Sequence, residues 1–397
     1  FRILMSKMSA VAYQWHNYGK STIGARSDVE NVDIGRLQAF YRTYYQPDNA
    51  VLIVSGAFDP AKTLTSISRT FGKLPKPKRA LPRLYTVEPV QDGERSITLR
   101  RTGGTPLVAA LYHAPQGSHP DATAVDLLSG ILGDNPSGRL YKNLVESRLA
   151  AATFGFTFDS HDPGAVMFGA QLANPAQQDA AREAMLKTLE SIKAEPITQE
   201  ELERARTKWL KDWDAAYSDP QKVGVSLSES IAIGDWRTFF LARDRVRAIK
   251  LADVQRVAES YLLQSNRTLG AYVPTDSPQR APAPQAFDLE KELNGYTGDK
   301  DYAQAEAFDP TPANLDARTQ RKTLDLPNGP VQMALLEKST RGRVVNARLS
   351  LQFGGAESLK GKIRDSGNAA DDKDARAKAE ALGIHWERPE TDKRSAK

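Results

Sequence analysis

The stretch HNYGKSTIG (16–24) ends as a phosphate-binding loop does, because Gly19-Lys20-Ser21-Thr22 supplies the glycine, lysine and hydroxyls that cradle a phosphate. Such a loop needs an earlier glycine where this chain has Gln14. It must also leave a buried strand and open a helix. The preceding RILMSKMSAVAYQ instead spaces Ile3, Leu4, Met8, Val11 and Ala12 as one side of a helix. Both requirements fail, and nucleotide binding is not expected.

The five histidines are His16, His113, His119, His161 and His385. None stands four residues from another, so neither H-E-x-x-H nor its inverse H-x-x-E-H occurs. His113 and His119 flank a Pro-Gly break and, with Glu146, could converge in space, or could be separate structural or solvated residues. His161 lies in a turn sequence, and His16 precedes a polar loop that it could order by hydrogen bonds. There is no G-x-S-x-G elbow, and with no cysteine there is no thiol nucleophile, disulfide or Cys-based zinc site.

In NPSGRLYKNLVESR (135–148), Arg139 and Tyr141 are donors of the kind that polarise a carbonyl or stabilise an oxyanion. The same segment also reads as a plain helix start at Asn135-Pro136-Ser137 with Leu140 and Leu144 packed inward. Glu200 and Glu201 fall in the first turn of a helix, where carboxylates meet the helix dipole favourably without a catalytic role. Taken by themselves, the residues assemble no active site.

The elements that would carry these groups follow from patterning. VDIGRLQAFYRTYY (32–45) is a helix closed by Pro47, AVLIVSG (50–56) reads as a buried strand, and a helix spans 60–71. The proline-rich stretch from Gly72 to Gly93 reads as a connection. SITLRR and PLVAALYHA are strands, 120–133 and 137–148 helices, and AATFGFTFDSHDPGAVMFGAQL a hairpin turned at Asp162-Pro163-Gly164. Helix 175–193 precedes a longer one at 199–217, which Thr198 and Glu201 open as a capping box. More helix spans 245–262, and TLGAYVP is a last strand. The class is α+β, a two-layer arrangement of a mainly antiparallel sheet covered by helices.

The chain has 397 residues, enough for two or three domains, with 40% hydrophobic and 26% charged residues. Its net charge of +5 is spread along an interleaved sequence, and the one basic cluster, GKLPKPKR, is proline-rich; no nucleic-acid footprint results. No apolar run approaches the roughly 18 residues that span a bilayer. The sequence opens on Phe1 with neither a Met nor a signal peptide, and it is expected to be an interior piece of a longer protein.

Several stretches, taken in order, resemble one family. AYQWHNYGKSTIGARSDVENVDIGRLQAFYRTYYQPDNAVLIVSGAFD resembles the segment that follows the metal site in insulinase/pitrilysin-type zinc peptidases. FGKLPKP is similar to the exit from their first domain, and LLSGILGDNPSGRLYKNLVESRLAAATFGF to a helix pair of their second. VPTDSPQRAPAP…FDPTPANLDARTQR resembles the bridge between the halves of long bacterial members, and LPNGPVQMALLEKSTRG the opening of the second half. In this family "HNYG…IG" is a loop near the mouth of the catalytic domain.

The resemblance divides the chain into the end of a first, catalytic domain (1–76), a linker (77–94) and a complete second α+β domain (95–274). A bridge (275–320), an incomplete start of a second-half domain (321–362) and a charged tail (363–397) expected to be disordered follow. The family's H-x-x-E-H helix, whose histidines hold zinc and whose glutamate activates water, would lie before Phe1, as would the further glutamate ligand. No catalytic, cofactor-binding or metal residue is therefore assigned within this chain. The family's catalytic arginine and tyrosine belong to the second half, so Arg139 and Tyr141 do not inherit that role.

The resemblance implies a fragment of a zinc endopeptidase that encloses and hydrolyses peptides, with this chain supplying chamber wall and hinge. Zinc would belong to the intact protein and none to this chain. A peptide or small protein would be the substrate, and the other parts of the same protein or a homologous subunit the partners. The periplasm is the compartment the family suggests. The alternative is a non-catalytic scaffold or partner subunit of the same fold.

Overall fold

A computed structural model describes residues 1–298, 306–327, 329–339 and 345–348. Two units separate, Phe1–Pro282 and Ala283–Lys397.

The first unit opens with α1 (Arg2–Ala12), α2 (Arg26–Asn31), α3 (Ile34–Tyr44) and α4 (Pro60–Thr70). Asp33 and Asp59 cap α3 and α4 by accepting hydrogen bonds from backbone amides of their first turns. Strands β1 (Arg95–Arg101) and β2 (Leu107–His113), helix α5 (Ala122–Gly133), and the hairpin β3 (Ala152–Phe158) and β4 (Ala165–Gln171) follow. Then come α6 (Gln178–Glu190), α7 (Gln199–Ser218), α8 (Pro220–Ile233), α9 (Thr238–Ala248), α10 (Leu251–Tyr261) and β5 (Arg267–Pro274). The strands form a mixed sheet in the order β1-β5-β2-β4-β3, in which only β1 and β5 run parallel. The chain is α+β.

Burial explains the order. β2 and β4, the strands with the longest uninterrupted apolar runs, are buried on both faces and occupy the interior. From one face Val108, Ala110, Tyr112, Val166 and Phe168 pack beneath helices contributing Leu128, Met185, Leu202 and Val257. The opposite face of the sheet is covered over its middle by α1, whose Leu4, Met8 and Ala12 meet Leu107, Ala109, Leu111 and Met167. Gly270 makes that approach possible: a Cβ there would stand 2.1 Å from the Met8 sulfur. On the helical side Gly133 of α5 and Gly155 of β3 meet backbone to backbone, where a Cβ on Gly133 would lie 2.4 Å from Gly155.

Two sequence expectations change. Residues 51–55 form neither a strand nor part of a core; Val51 and Leu52 are 64% and 56% exposed. The apolar run seeks burial, yet the sheet edges in this unit are β1 and β3, and 51–55 pairs with neither. Its tie is through the Ser55 hydroxyl, which donates to the Pro220 carbonyl. Helix α8, unforeseen in a stretch rich in serine and β-branched residues, is started by Asp219, whose carboxylate accepts from the Gln221 and Lys222 amides at 2.9 and 3.1 Å. The segment 137–148 ends not in a regular helix but in a wide turn, Tyr141–Val145, with Leu140 and Leu144 fully buried.

In the second unit, short helices α11 (Leu289–Leu293) and α12 (Pro312–Arg318) lie within the stretch expected to be a bridge. Strands β6 (Thr319–Leu326) and β7 (Gly329–Leu336) form an antiparallel hairpin. The rest of the segment expected to start a second-half domain, up to 362, lies largely outside the described residues, as does the whole tail from 363.

Candidate functional site

The HNYG segment docks on the hairpin of the sheet domain. Glu88 accepts from the backbone amides of Gln14, Trp15 and His16 at 3.0, 2.8 and 2.9 Å. Its carboxyl would be raised by burial, but those three amides more than offset this and hold it below the usual carboxylate range. The His16 ring meets Asp162 through Nε2 at 3.2 Å and accepts from the Tyr18 amide through Nδ1 at 3.2 Å. In return the Tyr18 hydroxyl accepts from the Asp162 amide at 3.2 Å. Tyr13 stacks edge-on against His113, ring centroids 4.7 Å apart. Gly19 is required because a Cβ there would sit 2.2 Å from the Tyr13 carbonyl oxygen. Lys20 and Ser21 point to solvent, without the strand-to-helix setting of a phosphate loop.

The remaining sequence candidates are likewise engaged in structure. His113 Nε2 lies 3.2 Å from the Ala12 carbonyl, and burial lowers its pKa. His119 Nδ1 accepts from the Asp121 amide at 3.0 Å, and His161 lies 3.2 Å from Asp162. Glu146 is exposed and bonds to neither His113 nor His119. Arg139 grips Glu201 with two bonds of 2.7 Å and donates to the carbonyls of Glu195 and Pro196 at 2.7 and 2.8 Å. It therefore fastens the start of α7, whose Thr198–Glu201 capping box is formed. His385 lies outside the described residues. Among the described residues no three His, Asp or Glu side chains are grouped to hold a metal ion. Among the described residues the histidine nitrogens serve local bonds instead.

Sequence reasoning passed over one chemically unusual place. Asp126 lies on the otherwise apolar α5 and accepts from Trp209 Nε1 at 2.6 Å and Thr157 Oγ1 at 3.4 Å. Burial raises its pKa. Asp159, on the same cleft, is pushed up to about 7 by the crowding protein and then by the Asp126 charge, although part of the residue meets solvent. The signals were an aspartate within an apolar helical run and tryptophans one turn apart at 209 and 213. Their convergence with Asp159 is set by the tertiary fold.

Residues 31–208 match the family model described as the peptidase M16 inactive domain. A zinc protease of Helicobacter pylori, PqqE, is 28% identical over 65% of this chain and 59% of its own length. A protease structure from the same organism is 27% identical, covers 68% of this chain and 67% of that one, and superposes with a TM-score of 0.65. The chain belongs to the insulinase/pitrilysin family. Within it, an inactive peptidase domain from Bordetella parapertussis is 60% identical over 47% of this chain and 99% of that one, with a TM-score of 0.43. The chain spans about 59–62% of the length of the first curated relatives. As a family member it carries inactive-domain sequence, and its histidine loop is a docking element. No helix among the described residues is long and apolar enough to cross a membrane.

Proposed function

We propose that this chain forms wall and hinge of a zinc endopeptidase that closes around peptides, with the metal-activated water supplied by residues outside it. The match of 31–208 to an inactive domain carries this reading. The engagement of Arg139, His16 and His113 in structural bonds supports it. So does the exposure of Phe40, Val51, Leu52 and Leu64, large apolar side chains that another protein surface would bury. Zinc, when bound in the intact enzyme, would supply the nucleophile; this chain's part is to shape and close the space in which a peptide lies.

The test is complementation. The purified chain is mixed with an H-x-x-E-H-bearing half of such an enzyme and offered an internally quenched peptide. Cleavage by the mixture, and by neither part alone, is the expected result. A stable complex without cleavage would favour the scaffold alternative, and cleavage by the chain alone would overturn both. We place the parent protein in the periplasm on the family resemblance, which cell fractionation checks directly.

A further inference from the structure

The run 51–55 has the chemistry of a strand and no sheet to join. Ala50 enters it with extended backbone, φ −128° and ψ 142°, and Gly56, at φ 126°, turns the chain out. Between them the side chains alternate. Val51, Ile53 and Ser55 line a gap of about 490 Å³ against Gly224 and Val225 of α8, while Leu52 and Val54 are 56% and 42% exposed. Among the described residues no backbone amide or carbonyl of 51–55 is hydrogen-bonded to other backbone; the tie to Pro220 is made by the Ser55 side chain.

Unpaired rows of amides and carbonyls on an extended apolar segment select another extended segment, because a strand offers acceptors and donors at the same repeat. The composition of the run says which. Sheet edges that stay single carry charge, as β1 does with Arg95, Arg100 and Arg101. Residues 49–58 hold no charged side chain and no proline, so no such guard opposes a second copy. The flanking carboxylates set the direction. Parallel pairing in register would place Asp48 against Asp48 and Asp59 against Asp59. Antiparallel pairing about Ile53, the one antiparallel register that joins all five residues, brings Asp48 opposite Phe58 and Asp59 opposite Pro47. No like charges then meet, and Leu52 lies opposite Val54.

We propose that two copies of this chain associate through 51–55, paired antiparallel across a twofold axis at Ile53, with Leu52 of each copy beside Val54 of the other. The association goes beyond the chamber reading and does not depend on it: it needs neither a metal-bearing half nor a peptide.

Sedimentation velocity of the full chain, with hydrogen exchange followed by mass spectrometry, tests the proposal. A pair of five-residue strands is a small contact, so dimer is expected to grow from minor to major species between about 10 and 500 µM. Protection of the 51–55 amides should rise in step. Ile53→Lys and Ile53→Glu should each be monomeric alone and dimeric when mixed, since position 53 faces its own copy. Leu52→Lys, at an exposed side chain, should be monomeric throughout and keeps the test decisive if the Ile53 variants lose their fold by circular dichroism. A wild type monomeric at every concentration, a dimer that Leu52→Lys leaves intact, or folded Ile53 variants that fail to pair on mixing would overturn the proposal. So would protection of 51–55 in the dilute monomer, or protection appearing only when an H-x-x-E-H-bearing half is added, which would give the strand to a different partner.

Discussion

Arg139 and Glu201 lie 62 residues apart in sequence and meet through two bonds of 2.7 Å, with both side chains largely shielded from water. The guanidinium closes the wide turn after α5 onto the first turn of α7 and satisfies two further carbonyls there. A donor placed so as to suggest oxyanion chemistry in the sequence is consumed by the fold.

Removing this grip leaves Glu201 shielded and unpaired. Arg139→Ala is expected to destabilise the first unit by about 2–4 kcal/mol in urea unfolding. Burial alone would raise the Glu201 carboxyl, but Arg139 and the Thr198 amide bring it down to about 2. A depressed carboxylate contributes stability above its unfolded pKa and loses it as pH falls through the folded one. Wild type should therefore weaken as pH drops from about 4.5 toward 2, and Arg139→Ala should lack much of that decline.

Asp159 has the opposite sign. Its folded pKa of about 7 lies above the ordinary carboxyl value, so its penalty is absent at low pH, accumulates as pH rises from the ordinary carboxyl range toward 7, and is complete above about 7. Asp159→Asn should raise the melting temperature at pH 8 and leave it nearly unchanged at pH 4, as differential scanning calorimetry would register. An equal shift at both pH values would contradict the crowding of the two carboxyls.

The histidine loop separates structure from nucleotide binding. Gly19→Ala forces a methyl against the Tyr13 carbonyl and should cost about 1–3 kcal/mol. Lys20→Ala, at an exposed position, should stay within about 0.5 kcal/mol. Neither variant, nor wild type, should bind ATP in equilibrium dialysis; ATP affinity lost in Lys20→Ala would restore the phosphate-loop reading.

Met8 joins α1 to the sheet. Met8→Ala opens a void over Gly270 and should destabilise by about 2–4 kcal/mol, with hydrogen exchange quickening in α1. Unchanged protection there would show that α1 does not depend on this contact.

What patterning made legible was the sheet domain. SITLRR and PLVAALYHA marked β1 and β2, and the Asp162-Pro163-Gly164 turn joined β3 to β4 in the expected hairpin. The capping box of α7 was readable because it needs only Thr198 and Glu201 three residues apart. The run at 51–55 was misread because hydrophobicity declares a demand for burial without naming the partner that meets it. The Asp126–Asp159 cleft stayed hidden for a related reason: α5, the hairpin turn and α7 contribute one or two residues each, and their approach is decided by packing. Helix α8 was obscured by weak local propensity, although Asp219-Pro220 carried its start signal.

The central claim, that this polypeptide supplies enclosure and not the metal chemistry of its family, is tested most directly by dialysing the purified chain against zinc, quantifying the bound metal and assaying a quenched peptide library. The account predicts zinc far below one equivalent and no cleavage above buffer. One tightly bound zinc per chain, with cleavage abolished by a chelator and restored by zinc, would contradict it.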